Sequence, residues 1–258
     1  METKSPAARP LQVPAVDPAH YGANFIRLAV CELRFPTLFE IEADRPPAAF
    51  ARALRKTYPN HERAKNVNVN PAGLEQATAH IFHSKKNRWQ VTLRASALSI
   101  ETSSYDKYAE FEERVQFVID AAKSTIDSDF FTRVGLRYIN VIPYQMTEIS
   151  EWVNSALVAP LGAGTFGDVD ECWQQVRGTT DIGGYSFRHG VNANRSAPAA
   201  GAPSEYVLDF DFFCEDVQVS DALEIVSQLH EREYAMFDWT LGPKMREQLG
   251  ASKLKGKP

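Results

Sequence analysis

Alternation of apolar and polar residues, with a period of two, governs most of this chain. Between residues 130 and 144, Val134, Leu136 and Tyr138 fall on one side, and Arg133, Gly135 and Arg137 on the other. That is the pattern of a long, half-buried β-strand. Ile139, Val141 and Ile142 continue it as an apolar run, and Pro143 ends it because proline brings no N–H to the ladder. Residues 28–35 repeat the theme: Ala29, Cys31, Leu33 and Phe35 oppose Val30, Glu32 and Arg34, and Pro36 closes the strand. Further strands are expected over 62–70, 76–83, 88–94 and 97–101, with a hairpin tip at Lys85-Lys86-Asn87. Later come 172–180 and 185–191, joined at Gly183-Gly184, the composition of a tight hairpin turn. Residues 205–213 set Tyr206, Leu208, Phe210 and Phe212 against Asp209 and Asp211.

Helical spacing occurs between these runs. Phe50, Leu54 and Tyr58 form one stripe after Asp44, a candidate cap, and Pro46. Tyr108, Phe111, Val115, Val118, Ile119 and Ala122 mark an amphipathic helix over 107–124, with caps among Ser103, Ser104 and Asp106. Thr147 is placed to cap a short helix over 148–158. Asp221 and Glu224 have capping-box spacing for a final helix to 249, kinked at Gly242-Pro243. Residues 1–24 read as a disordered arm, 192–204 as a mobile loop and 251–258 as a basic tail.

The order of elements repeats. A unit over 25–128 reads β-α-β4-α, and one over 129–250 reads β-α-β3-α, where the Gly-rich stretch leaves room for a fourth strand. The expected fold is α+β: an antiparallel sheet covered on one face by helices, two pseudo-repeats forming one compact body.

Composition narrows the function classes. Hydrophobic residues make up 44% and aromatic residues 11%, ample for a core. The net charge of −5 disfavours duplex nucleic acid, whose phosphates call for a basic surface. Cys31, Cys172 and Cys214 are widely separated and odd in number, which points to buried thiols in a reducing, cytoplasmic setting. No run approaches the roughly 18 apolar residues of a membrane helix.

Candidate chemistry is sparse. Gly162-Ala163-Gly164-Thr165-Phe166-Gly167 fits G-x-G-x-x-G, but it follows a helix and leads into Asp168, Asp170 and Glu171, which would repel a phosphate. His80 and His83, three apart on a strand, face opposite ways. Asp209 and Asp211 share a face about 6.5–7 Å apart, with no third oxygen ligand set by spacing. His230 and Tyr234 are one helical turn apart, with no nucleophile tied to them. No catalytic residue, metal site or cofactor is assigned.

The outward positions of the strands form the most informative feature. Glu32, Arg34, Thr92, Arg94, Glu101, Arg133, Arg137, Asp209 and Asp211 give a face dense in arginine and carboxylate. One reading is a solvated sheet with cross-strand ion pairs. The other is a binding platform on which arginine forks hold a protein partner or a small anionic ligand. Arg133 and Arg137 lead this set, because Gly135 between them leaves room for close approach. Three functions follow in order: a non-enzymatic binding protein; a small-molecule binder or enzyme with a cavity lined by Trp89, Trp173, Phe187 and Trp239; and a nucleic-acid binder. An open sheet edge also offers a route to a homodimer.

The element order resembles the TATA-binding-protein-like or helix-grip architecture in topology. Arg133-Val134-Gly135-Leu136-Arg137-Tyr138-Ile139-Asn140 resembles the hallmark strand of an uncharacterised, sporadically distributed bacterial family of about this length. The helix following Tyr105 and the late helix with Phe237 sit where that family places them. This resemblance spans about residues 25–248. It implies an accessory protein, antitoxin-like or defence-associated, and transfers no catalytic residue.

Overall fold

The alternating runs at 26–34 and 130–144 become neighbours in a nine-stranded antiparallel sheet. The computed structural model describes residues 9–16, 21–70, 73–144, 148–167, 169–192 and 204–250. Strand β1 (Ile26–Arg34) leads to a 3-10 turn (Phe39–Glu42) and helix α1 (Ala48–Leu54). Four strands follow: β2 (Asn60–Asn70), β3 (Gly73–His83), β4 (Trp89–Arg94) and β5 (Ala97–Thr102), then α2 (Tyr108–Ala122). The second run opens with β6 (Phe130–Tyr144) and the short helices α3 (Ile149–Trp152) and α4 (Ser155–Gly162). It continues through β7 (Glu171–Thr179), β8 (Gly184–Asn192) and β9 (Ser204–Gln218) to α5 (Ala222–Thr240) and α6 (Pro243–Gln248).

The order across the sheet is β2-β3-β4-β5-β1-β6-β9-β8-β7. Each opening strand, β1 or β6, therefore lies beside the last strand of its own block. The fold is α+β, with helices packed on the sheet and the β-α-β-α plan stated twice.

The chain divides into two contact-defined units that share β1, β6, β9 and α5. The first is Arg27–Tyr138 with Phe213–Leu229; the second is Ile139–Phe212 with the described parts of Met1–Ile26 and His230–Pro258. In the first, Cys31, Ile100 and Val91 are cross-strand partners, as are Leu33, Leu98 and Leu93, so one face is continuous and apolar. Helix α2 lays Phe111, Val115, Val118 and Ile119 into that core, with Phe111 5.8 Å from Trp89 between ring centroids. In the second, Tyr206, Leu208, Phe210 and Phe212 are buried, and Phe187 stacks on Phe210 at 4.8 Å.

Several local expectations are corrected. Pro46 and Pro47 delay α1 to Ala48, so Asp44 is not its cap and pairs with Arg63 instead. The β7–β8 hairpin is not a two-residue glycine turn: residues 180–183 connect it, and the Thr180 hydroxyl accepts from the N–H groups of Ile182 and Gly183. The short helix is split into α3 and α4, the latter capped by Asn154, whose side chain accepts from Ala156 N. Thr147 lies outside the described residues, as do the tail and parts of the arm and the 192–204 loop. Gly162 ends α4 and residues 163–167 form a turn after it, not a fourth strand.

The last helix is broken, not kinked. Leu241 bridges to Val153, and Gly242 N donates to Trp152 O at 2.9 Å. A methyl group on Gly242 would stand 2.4 Å from the Glu151 carbonyl oxygen, so only glycine permits this approach. Pro243 then begins α6 at a position that needs no N–H.

Within the arm, residues 9–16 are extended along the second unit. Leu11 N donates to Thr179 O at 2.8 Å, and Leu11, Val13 and Val16 border a cavity of about 470 Å³ with Asp181, Arg232 and Ala235.

A charged sheet face as candidate binding site

On β1 the residues between core positions point away from α2. Register places them in three cross-strand rows: Val30, Glu101, Gln90 and His83; Glu32, Ser99, Thr92 and Ile81; Arg34, Ala97, Arg94 and Ala79. The middle row is unusual for a sheet face turned from the helices. Thr92 is 2% exposed and Ser99 5% exposed, with Gln90 Nε2 donating to Thr92 Oγ1. Short residues thus form a floor, and longer charged ones stand around it.

Glu32 is the centre of the charged group. Its Oε1 accepts from Arg34 Nε at 2.7 Å and lies 3.8 Å from Arg133 Nη1. Arg133 is held on three sides. Its guanidinium carbon lies 4.5 Å from the ring centroid of Phe213, and its Nη1 occupies the place where a β-carbon on Gly135 would be, 2.2 Å away. The room at Gly135 is therefore filled by the Arg133 head group itself. Contact with an aromatic face in a partly dried site is worth about 1–2 kcal/mol and fixes the plane of the fork. Its side chain retains 15% exposure.

The other expected residues divide. Arg94 lies on the same face as Arg34, two strands away across Ala97, about 10 Å between α-carbons. Arg137 is exposed, two positions beyond Gly135 on β6. Asp209 and Asp211 belong to the second unit, on the side of β9 opposite Phe210 and Phe212. Within the first unit the charged group draws on Glu32, Arg34, Arg94, Glu101, Arg133 and Arg137, and adds two residues that sequence reasoning missed: Phe213 and His83. Alternation places Glu101 on this face, and no signal in the sequence ties Phe213 or His83 to it.

Burial raises the Glu101 carboxyl above its ordinary range, while Arg94 and His83 pull it down. His83 Nε2 lies 3.3 Å from Glu62 Oε1. Directly behind Glu32, burial and the neighbouring carboxylate push the Cys31 thiol up to about 12, against the pull of Arg133. That thiol is inert at neutral pH.

Other motifs take structural roles. His80 faces the core, its Nε2 3.0 Å from Ile41 O, while His83 lies on the opposite face. Among the described residues no group of three or more His, Cys, Asp or Glu side chains is placed to hold a metal ion. The Gly162–Gly167 turn precedes a strand, the reverse of a dinucleotide-binding order. Trp89 is buried against Phe111, Trp239 is 37% exposed, and Trp173 and Phe187 lie on opposite faces of the β7–β8 hairpin. No described helix is long and apolar enough to cross a membrane.

No protein-family model matches the chain, and comparison with curated proteins finds no match either.

Proposed function

We propose that the chain is a non-enzymatic binding protein whose charged sheet face, in the Arg27–Tyr138 unit, receives carboxylates of a protein partner or of a small anionic ligand. The observation that carries this reading is the immobilised Arg133 fork, seated over Gly135 and against Phe213 with Glu32 alongside. A guanidinium whose plane is set before binding loses less entropy on meeting a carboxylate than a free one does. Arg34, Arg94 and Arg137 extend the positive rim. The likeness of residues 133–140 to the sporadically distributed bacterial family supports an accessory role, antitoxin-like or defence-associated. The scattered free thiols fit a cytoplasmic setting.

Titration with an oligoglutamate peptide and, separately, with citrate tests the reading by NMR. Shifts centred on Arg133, Arg34 and Ser99 are expected, weakening with salt. Arg133→Lys keeps the charge but not the fork and is expected to weaken binding by roughly tenfold. Response to citrate alone points to a small ligand, and response to the peptide alone to a protein partner. Silence to both probes, or a lysine variant that binds as tightly as the parent, overturns the proposal.

A further inference from the structure

Strand β7 ends the sheet, and apart from Leu11, whose N–H meets Thr179 O, its outer edge carries no backbone partner among the described residues. Every residue from Gln174 to Thr179 is exposed. The strand has no proline, no lysine and no bulge, since its register with β8 is continuous from Glu171 to Thr179. Those are the features by which proteins usually blunt a sheet edge.

Two hydrogen bonds give the direction of its peptide groups. Thr179 O accepts from Leu11 N and so points away from β8, whereas Thr180 N donates toward the hairpin, to Gly183 O. Peptide groups alternate sides along a strand. The N–H and C=O of Glu171, Trp173, Gln175 and Arg177 therefore face outward with those of Thr179, and those of Cys172, Gln174 and Val176 face β8.

We propose that this edge pairs antiparallel with the same edge of a second copy of the chain, on a two-fold axis through Gln174. Outward peptide groups must meet outward peptide groups, so the axis passes through a residue. An axis at Gln175 would need Thr179 O, which Leu11 already occupies. An axis at Gln174 leaves that bond intact. It sets Glu171 opposite Arg177 of the second copy, Cys172 opposite Val176 and Trp173 opposite Gln175. Opposite charges meet at both ends of the ladder, with an apolar pair inside each. The only charged side chains on β7 thus complement each other under two-fold symmetry. Val176, 46% exposed in one copy, gains cover. The proposal does not depend on the function of the arginine face.

Sedimentation velocity across concentration tests the proposal. The parent chain is expected to convert reversibly from monomer to dimer. Gln175→Pro removes an outward N–H without touching the bonds to β8 and is expected to stay monomeric. Amide exchange at Gln174 and Val176 reports that its hairpin is intact. Glu171→Arg and Arg177→Glu are each expected to weaken association by roughly tenfold, and the double exchange to restore it. Amides of Trp173, Gln175 and Arg177 are expected to slow as concentration rises. A chain monomeric at roughly 1 mM, a dimer indifferent to Gln175→Pro, or a double exchange no tighter than its parents overturns the proposal. So does concentration-independent protection of the outward amides, which would mean that the edge is covered from within its own chain.

Discussion

The guanidinium carbon of Arg133, on β6, rests 4.5 Å from the ring centroid of Phe213, on β9, and Gly135 provides the floor beneath it. Gly135→Ala is therefore expected to expel the Arg133 head group. Because the clashing atoms are the far end of a flexible side chain, the stability cost is small and the loss falls on the set orientation of the fork. The measurements are a urea midpoint, expected to stay within about 1 kcal/mol, and the oligoglutamate titration, expected to weaken. Phe213→Leu, which keeps an apolar side chain but not the ring, is expected to weaken the titration while leaving the midpoint within about 1.5 kcal/mol.

Acid sensitivity should reside in the second unit. Burial holds the imidazoles of His189 and His230 down at about 4 each. An unfolded histidine titrates near 6.5. Above that value neither histidine costs anything. As pH falls from about 6.5 to 4, the unfolded chain binds protons that the folded chain refuses, so stability declines. Each histidine is expected to remove on the order of 2 kcal/mol by pH 4.5. Urea unfolding at pH 7 and 4.5 measures this, and His189→Gln should flatten part of the slope while disturbing the contact with Tyr206 Oη.

The break between α5 and α6 should tolerate no side chain. Gly242→Ala brings a methyl group to 2.4 Å from the Glu151 carbonyl, which belongs to backbone and cannot swing away. A loss of about 2 kcal/mol or more is expected in equilibrium unfolding.

Thiol labelling offers a check on β1. Cys31 is 1% exposed, and its thiol is pushed up to about 12. With maleimide at neutral pH, mass spectrometry should find it unmodified in the folded chain and modified once urea unfolds it. Cys172 and Cys214 are half-buried and are expected to react before it.

Strands were legible in the sequence because alternation depends only on which side of a pleat faces the core. Ala29, Cys31 and Leu33 had to lie together whatever covered them, and Glu32 and Arg34 had to lie opposite. Ends and turns were less legible, since they depend on distant partners. Nothing near Gly242 announces Val153, whose bridge to Leu241 breaks the last helix. The same limit applies to the charged face. Gly135 was read as space for a guest, but the β6–β9 neighbourhood brings Phe213 to Arg133 and fills that space from within.

The interleaving on β1 has a consequence for how any guest would be received. Glu32 and Arg34 are spaced between Cys31, Leu33 and Phe35, so their α-carbons cannot move without dragging packed residues out of the interior. Accommodation is left to the outer torsions of Arg34 and Arg137. Calorimetry of a complex should accordingly show a small heat-capacity change, the mark of docking onto a preset frame, without the large negative value of coupled folding.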